Sequence, residues 1–253
     1  MKLLPDNKTL VVERANKVVY DCGDAMVKVF NTNKPAADIL NEALNLTRAE
    51  QAGIAVPSFR GVGKEDGSWI LSTAKAIGPT LRDMMTAEPD KLTEHLTILA
   101  DVEIDIHKHT SVLLTHQKDK YARMISQVEA LDEATRYDLH MRLDGMPNHI
   151  KVCHGDFSPS NVIMTEDGPV VCDWAHATCG CGGADAATSY ILFRMRGDDA
   201  VADEFLRIYC ERQGCDMAYV QSWMSIVAAA ELARGRVAKK DLLMSIVHVV
   251  DYV

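Results

Sequence analysis

The chain has 253 residues, of which 47% are hydrophobic, and its formal net charge is −9 at pH 7. A chain of this length can bury the core of one large domain or of two smaller lobes. The negative net charge argues against a nucleic-acid-binding protein, because such a protein needs a basic face toward the phosphates. No apolar run reaches the ~18 residues of a membrane span, so we expect no membrane partner.

The cysteine content and the N-terminal residues predict the cellular compartment. Seven cysteines are an odd number, at a density below that of a disulfide-stabilised secreted domain. The first ten residues, MKLLPDNKTL, are too polar for the apolar region of a secretory signal. We therefore expect reduced thiols and a cytoplasmic protein.

Residues 1–75 predict a small antiparallel sheet with one inserted helix. The runs TLVVER, KVVYD and AMVKVF are short and rich in valine, with a tight turn at residues 22–24 before the third run. Residues 36–52 carry apolar side chains at helical spacing and end at Gly53, which favours a helix C-terminus there. VPSFRGVG and SWILSTA predict two more strands, joined by a turn at residues 66–67.

Residues 76–253 change to helical periodicity and also contain the excess of acidic residues. We predict an α+β, bilobal fold in which residues 1–75 form an N-terminal nucleotide-binding lobe and residues 76–253 a larger, mainly helical lobe. The acidic side chains fit solvated helix faces or, alternatively, a rim that attracts a cationic substrate. The predicted helical stretches are 90–109, 117–144, 183–213 and 216–250, with breaks near Gly197 and Gly214.

A strand-like stretch, HGDFSPSNVIMTEDGPVVCDW at residues 154–174, interrupts the helical half. Its Asp167-Gly168 pair predicts a two-residue hairpin turn between NVIMT and PVVCDW. Pairing about that turn would place residue 161 roughly opposite residue 174. Asn161 and Asp173 would then lie side by side at the open end of the hairpin.

The same stretch contains, within a short segment, the side-chain types that phosphoryl transfer needs. Asp156 precedes Asn161 by only five residues, in a loop that Pro159 keeps tight. Two carboxylates and an amide oxygen suit Mg²⁺ bound together with substrate phosphates. A carboxylate that is not a metal ligand could accept the proton of an attacking hydroxyl. The spacing D-x-x-x-x-N followed by a further Asp is the one described for kinases.

The H-G-D loop and the D-W pair resemble those of the aminoglycoside phosphotransferase and choline kinase superfamily, which has a protein-kinase-like fold. The resemblance implies that Asp156 is the catalytic base and that Asn161 and Asp173 are Mg²⁺ ligands. It also implies a structural role for His154, whose ring would bond to backbone near the loop.

The resemblance extends to other segments and implies roles for further residues. Lys28 in VKVF resembles the lysine that pairs with nucleotide phosphates, and Glu42 resembles the helix glutamate that holds it. WILSTAKAIGPTLRD resembles the strand and hinge that receive the adenine, which would be contacted near Ser72 and Ala74. Asp185 in GGADAATSYILFRM resembles the aspartate that braces the catalytic loop.

The nucleotide loop departs from the pattern of this superfamily. Its sequence, ERANKVV, contains no glycine, so the backbone amides of Ala15, Asn16 and Lys17 would have to contact the phosphates. The expected co-substrate is ATP or GTP, bound with Mg²⁺, and the choice between the two nucleotides stays open.

The leading functional hypothesis is a kinase that acts on a hydroxyl of a small molecule. Aminoglycosides or choline-like amines would suit the acidic second lobe, with Glu231 and Asp251 as candidate contacts of a cation. The resemblance also allows sugars, homoserine, methylthioribose, thiamine and macrolides, and the sequence does not choose among them. A protein kinase is disfavoured by the H-G-D loop and by the lack of an A-P-E-like segment after Asp173. A non-catalytic nucleotide-binding module is a further alternative. The glycine-free loop keeps it open, whereas the intact Lys28, Asp156, Asn161 and Asp173 count against it. The oligomeric state stays open.

Overall fold

The computed structural model describes residues 2–248. Within them the chain forms two compact units, one of residues 2–84 with 159–176 and the other of residues 85–158 with 177–248. The segment 159–176 therefore groups with the N-terminal residues, whereas the sequence-based division places it in the C-terminal lobe. That division into folding domains stays a prediction.

The first unit contains the predicted five-stranded antiparallel sheet, in the order β1-β2-β3-β5-β4. Valine-rich runs form its strands because branched side chains pack well on a pleated, half-buried surface. Helix α1 (Ala36–Gln51) packs on the sheet, and Phe30, Ile39, Ala43 and Leu71 form a buried cluster. The strands are β1 (Thr9–Arg14), β2 (Lys17–Asp21), β3 (Ala25–Phe30), β4 (Phe59–Glu65) and β5 (Ser68–Ala74).

The pairing of β2 with β3 decides which side chains share a face of the sheet. Val19 lies directly opposite Lys28 in this antiparallel pair. Directly paired residues point to the same face, and residues two apart on one strand do so as well. Lys17 therefore lies on the face that carries Lys28.

The hairpin after the H-G-D loop forms as predicted but with a different register. Its strands are β7 (Val162–Thr165) and β8 (Gly168–Val171), and Thr165 pairs with Gly168. The turn is thus residues 166–167 and not 167–168. These two residues keep negative φ angles, and Gly168 supplies the positive φ of 117° directly after the turn.

The corrected register places Asn161 opposite Cys172, whose N–H donates to the Asn161 carbonyl oxygen at 2.8 Å. The expected pairing of residue 161 with residue 174 is wrong by two positions. A second contact fixes the hairpin within the first unit, because the N–H of Met164 donates to the carbonyl oxygen of Pro79 at 2.9 Å.

Helices dominate the second unit, together with a small two-stranded sheet that the sequence analysis missed. Its strands β6 (Lys151–Cys153) and β9 (Thr178–Gly180) have three residues each, too few for an alternating pattern. A further helix, α2 (Leu81–Ala87), begins in the first unit and ends in the second. The others are α3 (Leu92–Ile106), α4 (Gln117–Gln127), α5 (Glu133–Gly145), α6 (Gly182–Arg196), α7 (Asp199–Gln213), α8 (Met217–Gln221), α9 (Met224–Ala233) and α10 (Lys240–Val247).

The predicted helix breaks at two glycines are confirmed. Gly197 ends α6 with φ 86°, and Gly214 ends α7 with φ 70°. Both residues adopt the left-handed conformation, which glycine reaches without steric cost and which ends many helices.

Two of the predicted helical stretches contain more than one helix, with breaks that were not predicted. The stretch 117–144 is divided into α4 and α5, because Asp132 starts a new helix by accepting a hydrogen bond from the N–H of Thr135 at 2.7 Å. The stretch 216–250 is divided into α8, α9 and α10, and Gly235 between the last two has φ 74°. None of the helices within residues 2–248 combines the length and apolar character needed to cross a membrane.

Candidate active site

A cavity of about 210 Å³ lies in the first unit, against the face of the sheet that carries Lys28. Apolar side chains of the sheet and of the β7–β8 hairpin line part of it, and charged groups line the remainder. Five residues singled out from the sequence lie in its wall, namely Lys28, Glu42, Ala74, Asn161 and Asp173.

Ser72 and Asn16, which the resemblance implies as nucleotide contacts, do not line this cavity. Ser72 is buried in β5, and its neighbours Leu71 and Thr73 line the cavity instead. Asn16, in the turn between β1 and β2, lines a separate depression together with Lys34. The side chain of Thr73, and not that of Ser72, therefore faces this cavity.

An ion network occupies the polar end of the cavity. The ammonium of Lys28 lies 2.5 Å from Oε1 of Glu42 and 2.8 Å from Oδ1 of Asp173. The ammonium of Lys17 lies 3.0 Å from Oδ2 of the same aspartate. Each oxygen of Asp173 thus has its own cationic partner, and the Lys28–Glu42 pair predicted from the resemblance is present.

The charges in this network shift the pKa values of its members. Burial acts against the charged form of Lys28, but Asp173 and Glu42 outweigh it and raise the pKa of this lysine above its usual value. Burial also acts against ionised Asp173, yet Lys28 and Lys17 hold the pKa of its carboxyl well below the usual range. Burial and the charge of Lys28 lower the pKa of Lys17. The network therefore contains a firmly ionised carboxylate beside two amines.

The backbone of Asp173 is itself unusual, with φ 68°, in the left-handed region that side chains other than glycine rarely adopt. The next residue, Trp174, is buried, and two hydrogen bonds of this residue stabilise the conformation. Its indole N–H donates to the carbonyl oxygen of Val171 at 2.9 Å, and its own carbonyl oxygen accepts from Nδ2 of Asn45 at 3.2 Å. Backbone strain of this kind tends to be retained at functional sites.

The H-G-D loop belongs to the second unit and is fixed by one buried carboxylate. The backbone N–H groups of His154 and Gly155 donate to Oδ2 and Oδ1 of Asp185 at 2.6 and 2.7 Å. The N–H of Asp156 donates to Nδ1 of His154 at 3.2 Å. The resemblance implies bracing roles for Asp185 and His154, and these contacts are of that kind.

His107, the residue directly after α3, contacts the buried carboxylate of Asp185. Its Nε2 lies 3.1 Å from Oδ2 of Asp185, and its Nδ1 lies 3.1 Å from the hydroxyl of Tyr209. Burial would raise the pKa of Asp185, but the hydrogen bond and charge of His107 lower it. A Cβ on Gly182 would lie 2.7 Å from Nδ1 of His107, so this approach requires glycine.

Two arginines, which the sequence analysis did not single out, lie beside Asp156. Nη1 of Arg234 is 3.9 Å and Nη2 of Arg236 is 3.6 Å from its Oδ1. Glu231, proposed from the sequence as a contact for a cation, is buried with 1% of its surface exposed and pairs with both arginines at 2.9 and 3.2 Å. It is therefore not an open acidic contact. Asp251 lies outside the described residues.

Comparisons with known proteins agree with this fold. Residues 12–220 match the family model described as the phosphotransferase enzyme family APH. Among curated proteins, none matches the chain.

Several solved structures share the fold at low sequence identity. A thermostable mutant of aminoglycoside phosphotransferase APH(4)-Ia, in ternary complex with AMP-PNP and hygromycin B, is 15% identical with a TM-score of 0.70, covering 95% of this chain and 90% of that one. Amicoumacin kinase hAmiN, in complex with AMP-PNP, Ca²⁺ and Ami, is 13% identical with a TM-score of 0.65, covering 96% and 87%. A choline/ethanolamine kinase family protein from Mesorhizobium loti is 16% identical with a TM-score of 0.59, covering 96% and 82%.

The resemblance found in the sequence is thereby confirmed, as is the predicted fold class of an N-terminal antiparallel sheet followed by a mainly helical part. The family match extends over most of the chain, from β1 to α8. This chain belongs to the phosphotransferase enzyme family APH.

Proposed function

We propose that this protein transfers the γ-phosphoryl group of ATP or GTP to a hydroxyl of a small molecule, with Asp156 as the general base. The observation that carries the proposal is the network in which Lys17 and Lys28 flank Asp173 in a cavity of the first unit. Ammonium groups beside an ionised carboxylate suit phosphates that bind together with a divalent cation.

The nucleotide would bind in the cavity that Lys28 lines. Two structures of similar fold contain AMP-PNP, which supports a nucleoside triphosphate as the co-substrate. Glu42 holds Lys28 in place, so that the ammonium is preorganised toward the phosphates. Lys17 adds a second cation and so compensates for the missing glycines of the loop before it.

The side chains of Asn161 and Asp173 fit Mg²⁺. They are hard oxygen donors that line one cavity, and the lowered pKa of Asp173 keeps its carboxylate ionised. When bound, Mg²⁺ would neutralise negative charge on the phosphate oxygens. The ammonium groups of Lys17 and Lys28 would neutralise part of the same phosphate charge.

Asp156 would accept the proton of the acceptor hydroxyl. The acceptor oxygen forms a bond to the γ-phosphorus, while the bond from that phosphorus to the β–γ bridging oxygen breaks. The nucleoside diphosphate leaves with the bond electrons, and the proton moves to the carboxylate of Asp156. Asp185 supports this step by fixing the backbone of His154 and Gly155.

Nucleotide turnover with a panel of acceptors tests the proposal. The purified protein is incubated with Mg²⁺ and either ATP or GTP, and with hydroxyl compounds that are cationic, neutral or anionic. We expect diphosphate release that depends on one class of acceptor, together with a phosphorylated product in the mass spectrum. Nucleotide binding without transfer to any acceptor would contradict the proposal and favour a non-catalytic module. Transfer to a protein substrate alone would favour a protein kinase.

A further inference from the structure

The charges of the side chains around Asp156 bear on the chemical class of the acceptor. Arg234 is nearly buried, with 10% of its side chain exposed. Its Nη2 donates to the carbonyl oxygen of Gly155 at 2.8 Å, and its Nη1 lies 2.9 Å from Oε1 of Glu231. Its Nε is buried without a hydrogen-bond partner among residues 2–248. Arg234 is thus a fixed positive charge that contacts the H-G-D loop from the end of α9.

Arg236 is the more accessible of the two arginines, with 39% of its side chain exposed. Nε contacts Oε2 of Glu231 at 3.2 Å, and Nη2 lies 3.6 Å from Oδ1 of Asp156, beyond a good hydrogen-bond length. Its Nη1 has no bonding partner in the part of the chain that the structure describes. One edge of the guanidinium thus retains donors for a carboxylate or phosphate, which such an edge binds through two parallel hydrogen bonds.

Helix α4 contributes Arg123 and Lys120 to this region, and Lys120 is only partly charged near neutral pH. Lys120 lies close enough to Arg234 and Arg123 for both to act on it, and burial together with these charges lowers its pKa to about 7 despite Glu231 and Asp185. Two of the carboxylates near the arginines are already engaged, Glu231 with both guanidiniums and Asp185 with the backbone of the H-G-D loop. The guanidinium of Arg236 beside Asp156 would disfavour a cationic group of the acceptor at that position and would attract an anionic one.

We propose that the acceptor is anionic, a compact hydroxy acid or a phosphorylated alcohol whose carboxylate or phosphate binds to Arg236 while its hydroxyl faces Asp156. This inference rests on the proposed function and replaces the cationic acceptor expected from the acidic composition. The short distance between Nη2 of Arg236 and Oδ1 of Asp156 requires the hydroxyl and the anionic group to be only a few bonds apart.

The first test measures anion binding without turnover. Inorganic phosphate is titrated by calorimetry into protein saturated with a non-hydrolysable ATP analogue, which blocks the cavity of the first unit. We expect binding to the wild type that weakens about tenfold to a hundredfold in Arg236→Gln, as for loss of charged hydrogen bonds. Arg236→Lys, which keeps the charge but loses the planar edge, should lie between them. The control is Arg207→Gln, an exposed arginine that pairs with Glu204 and Glu211.

The second test compares acceptors with one three-carbon skeleton, namely glycerol, glycerate, glycerol 3-phosphate and 3-amino-1,2-propanediol. We expect phosphoryl transfer to glycerate or glycerol 3-phosphate, with the KM for that acceptor raised at least tenfold in Arg236→Gln and kcat changed much less. The two anionic compounds separate a carboxylate site from a phosphate site. Equal phosphate affinity in the wild type and Arg236→Gln, or transfer to the amine alone, would overturn the inference while leaving the proposed function intact. A third outcome is loss of phosphate binding in Arg236→Gln together with no transfer to an acceptor of any charge. That outcome would show an anion site at Arg236. It would overturn the assignment of this site to the acceptor, and with it the proposed function.

Discussion

The ammonium of Lys17 lies 3.0 Å from Oδ2 of Asp173, the oxygen that Lys28 leaves free. This second lysine begins β2, directly after the glycine-free loop between β1 and β2. If that loop binds the nucleotide as we propose, few of its backbone N–H groups could approach phosphates closely, because a Cβ is present at every position. Lys17 would then supply a side-chain cation in place of backbone donors.

We expect Lys17→Met to weaken nucleotide binding about tenfold to a hundredfold, since a hydrogen bond to a charged group contributes about 1.5–3 kcal/mol. In this variant Asp173 still forms its ion pair with Lys28, so the midpoint of thermal unfolding should change less than in Lys28→Met. Calorimetry with a non-hydrolysable ATP analogue and Mg²⁺ measures the affinity. The matched control is Lys64→Met, an exposed lysine on β4. Unchanged affinity in Lys17→Met would show that this ammonium does not contact the nucleotide.

Asp185→Asn should destabilise the protein by about 3–5 kcal/mol, the cost of breaking a buried charged network. Asp185 accepts two backbone hydrogen bonds from the H-G-D loop and contacts His107. Because its pKa in the folded state is lowered, its stabilising contribution is present above its ordinary pKa of 3.8 and is lost as the pH falls. Urea unfolding between pH 3 and pH 7 measures both effects. Asp138→Asn, an exposed control on α5, should change the free energy of unfolding by less than ~0.5 kcal/mol.

Lys120 should make the stability of the protein rise with pH on the alkaline side of neutrality. Its pKa is about 7 in the folded protein and 10.5 as the ordinary value, so the unfolded chain binds more protons between those two values. Lys120→Met should therefore remove a stability increase between about pH 7 and pH 10 and have no such effect at lower pH. Unfolding curves at pH 6, 7, 8 and 9 test this, with the exposed Lys108→Met as control. An equal pH dependence in Lys120→Met and the wild type would contradict the prediction.

Gly78→Ala should disturb the first unit directly. Gly78 has φ 155°, and an added Cβ would lie 2.0 Å from the carbonyl oxygen of Met164 in β7. The hydrogen bond from the N–H of Met164 to Pro79 would have to give way. We expect a loss of about 1–3 kcal/mol in the free energy of unfolding, measured by denaturant titration. Gly145→Ala is the control, because nothing lies within 4 Å of its added Cβ. An unchanged free energy of unfolding in Gly78→Ala would contradict the prediction.

The sequence predicted those features of the fold that depend on local pattern. The valine-rich strands, the helix before Gly53 and the breaks at Gly197 and Gly214 all follow from periodicity or from glycine conformation. The hairpin register was wrong because a turn can place its glycine either within the turn or directly after it. Asp132 could have signalled the new helix, since aspartate is a strong N-cap residue.

Side chains that meet through tertiary structure were harder to predict. Lys17 could not have been found from the sequence, because pairing centred on residues 22–24 would place Val18 opposite Lys28, whereas Val19 lies there. Arg234 and Arg236 could not have been found either, since they follow a nearly apolar helix and reach Asp156 only through the packing of the second unit. The acidic composition suggested a cationic substrate, but net charge does not reveal that Glu231 is buried between two arginines.

The central claim is that Asp156 is the general base of a phosphoryl transfer, and Asp156→Asn tests it most directly. The experiment measures the dissociation constant of the nucleotide and the transfer rate to the best acceptor, with Asp167→Asn in the exposed hairpin turn as control. We expect an unchanged dissociation constant and a transfer rate about 10²–10⁴-fold lower than that of the wild type. A transfer rate equal to that of the wild type would contradict the claim.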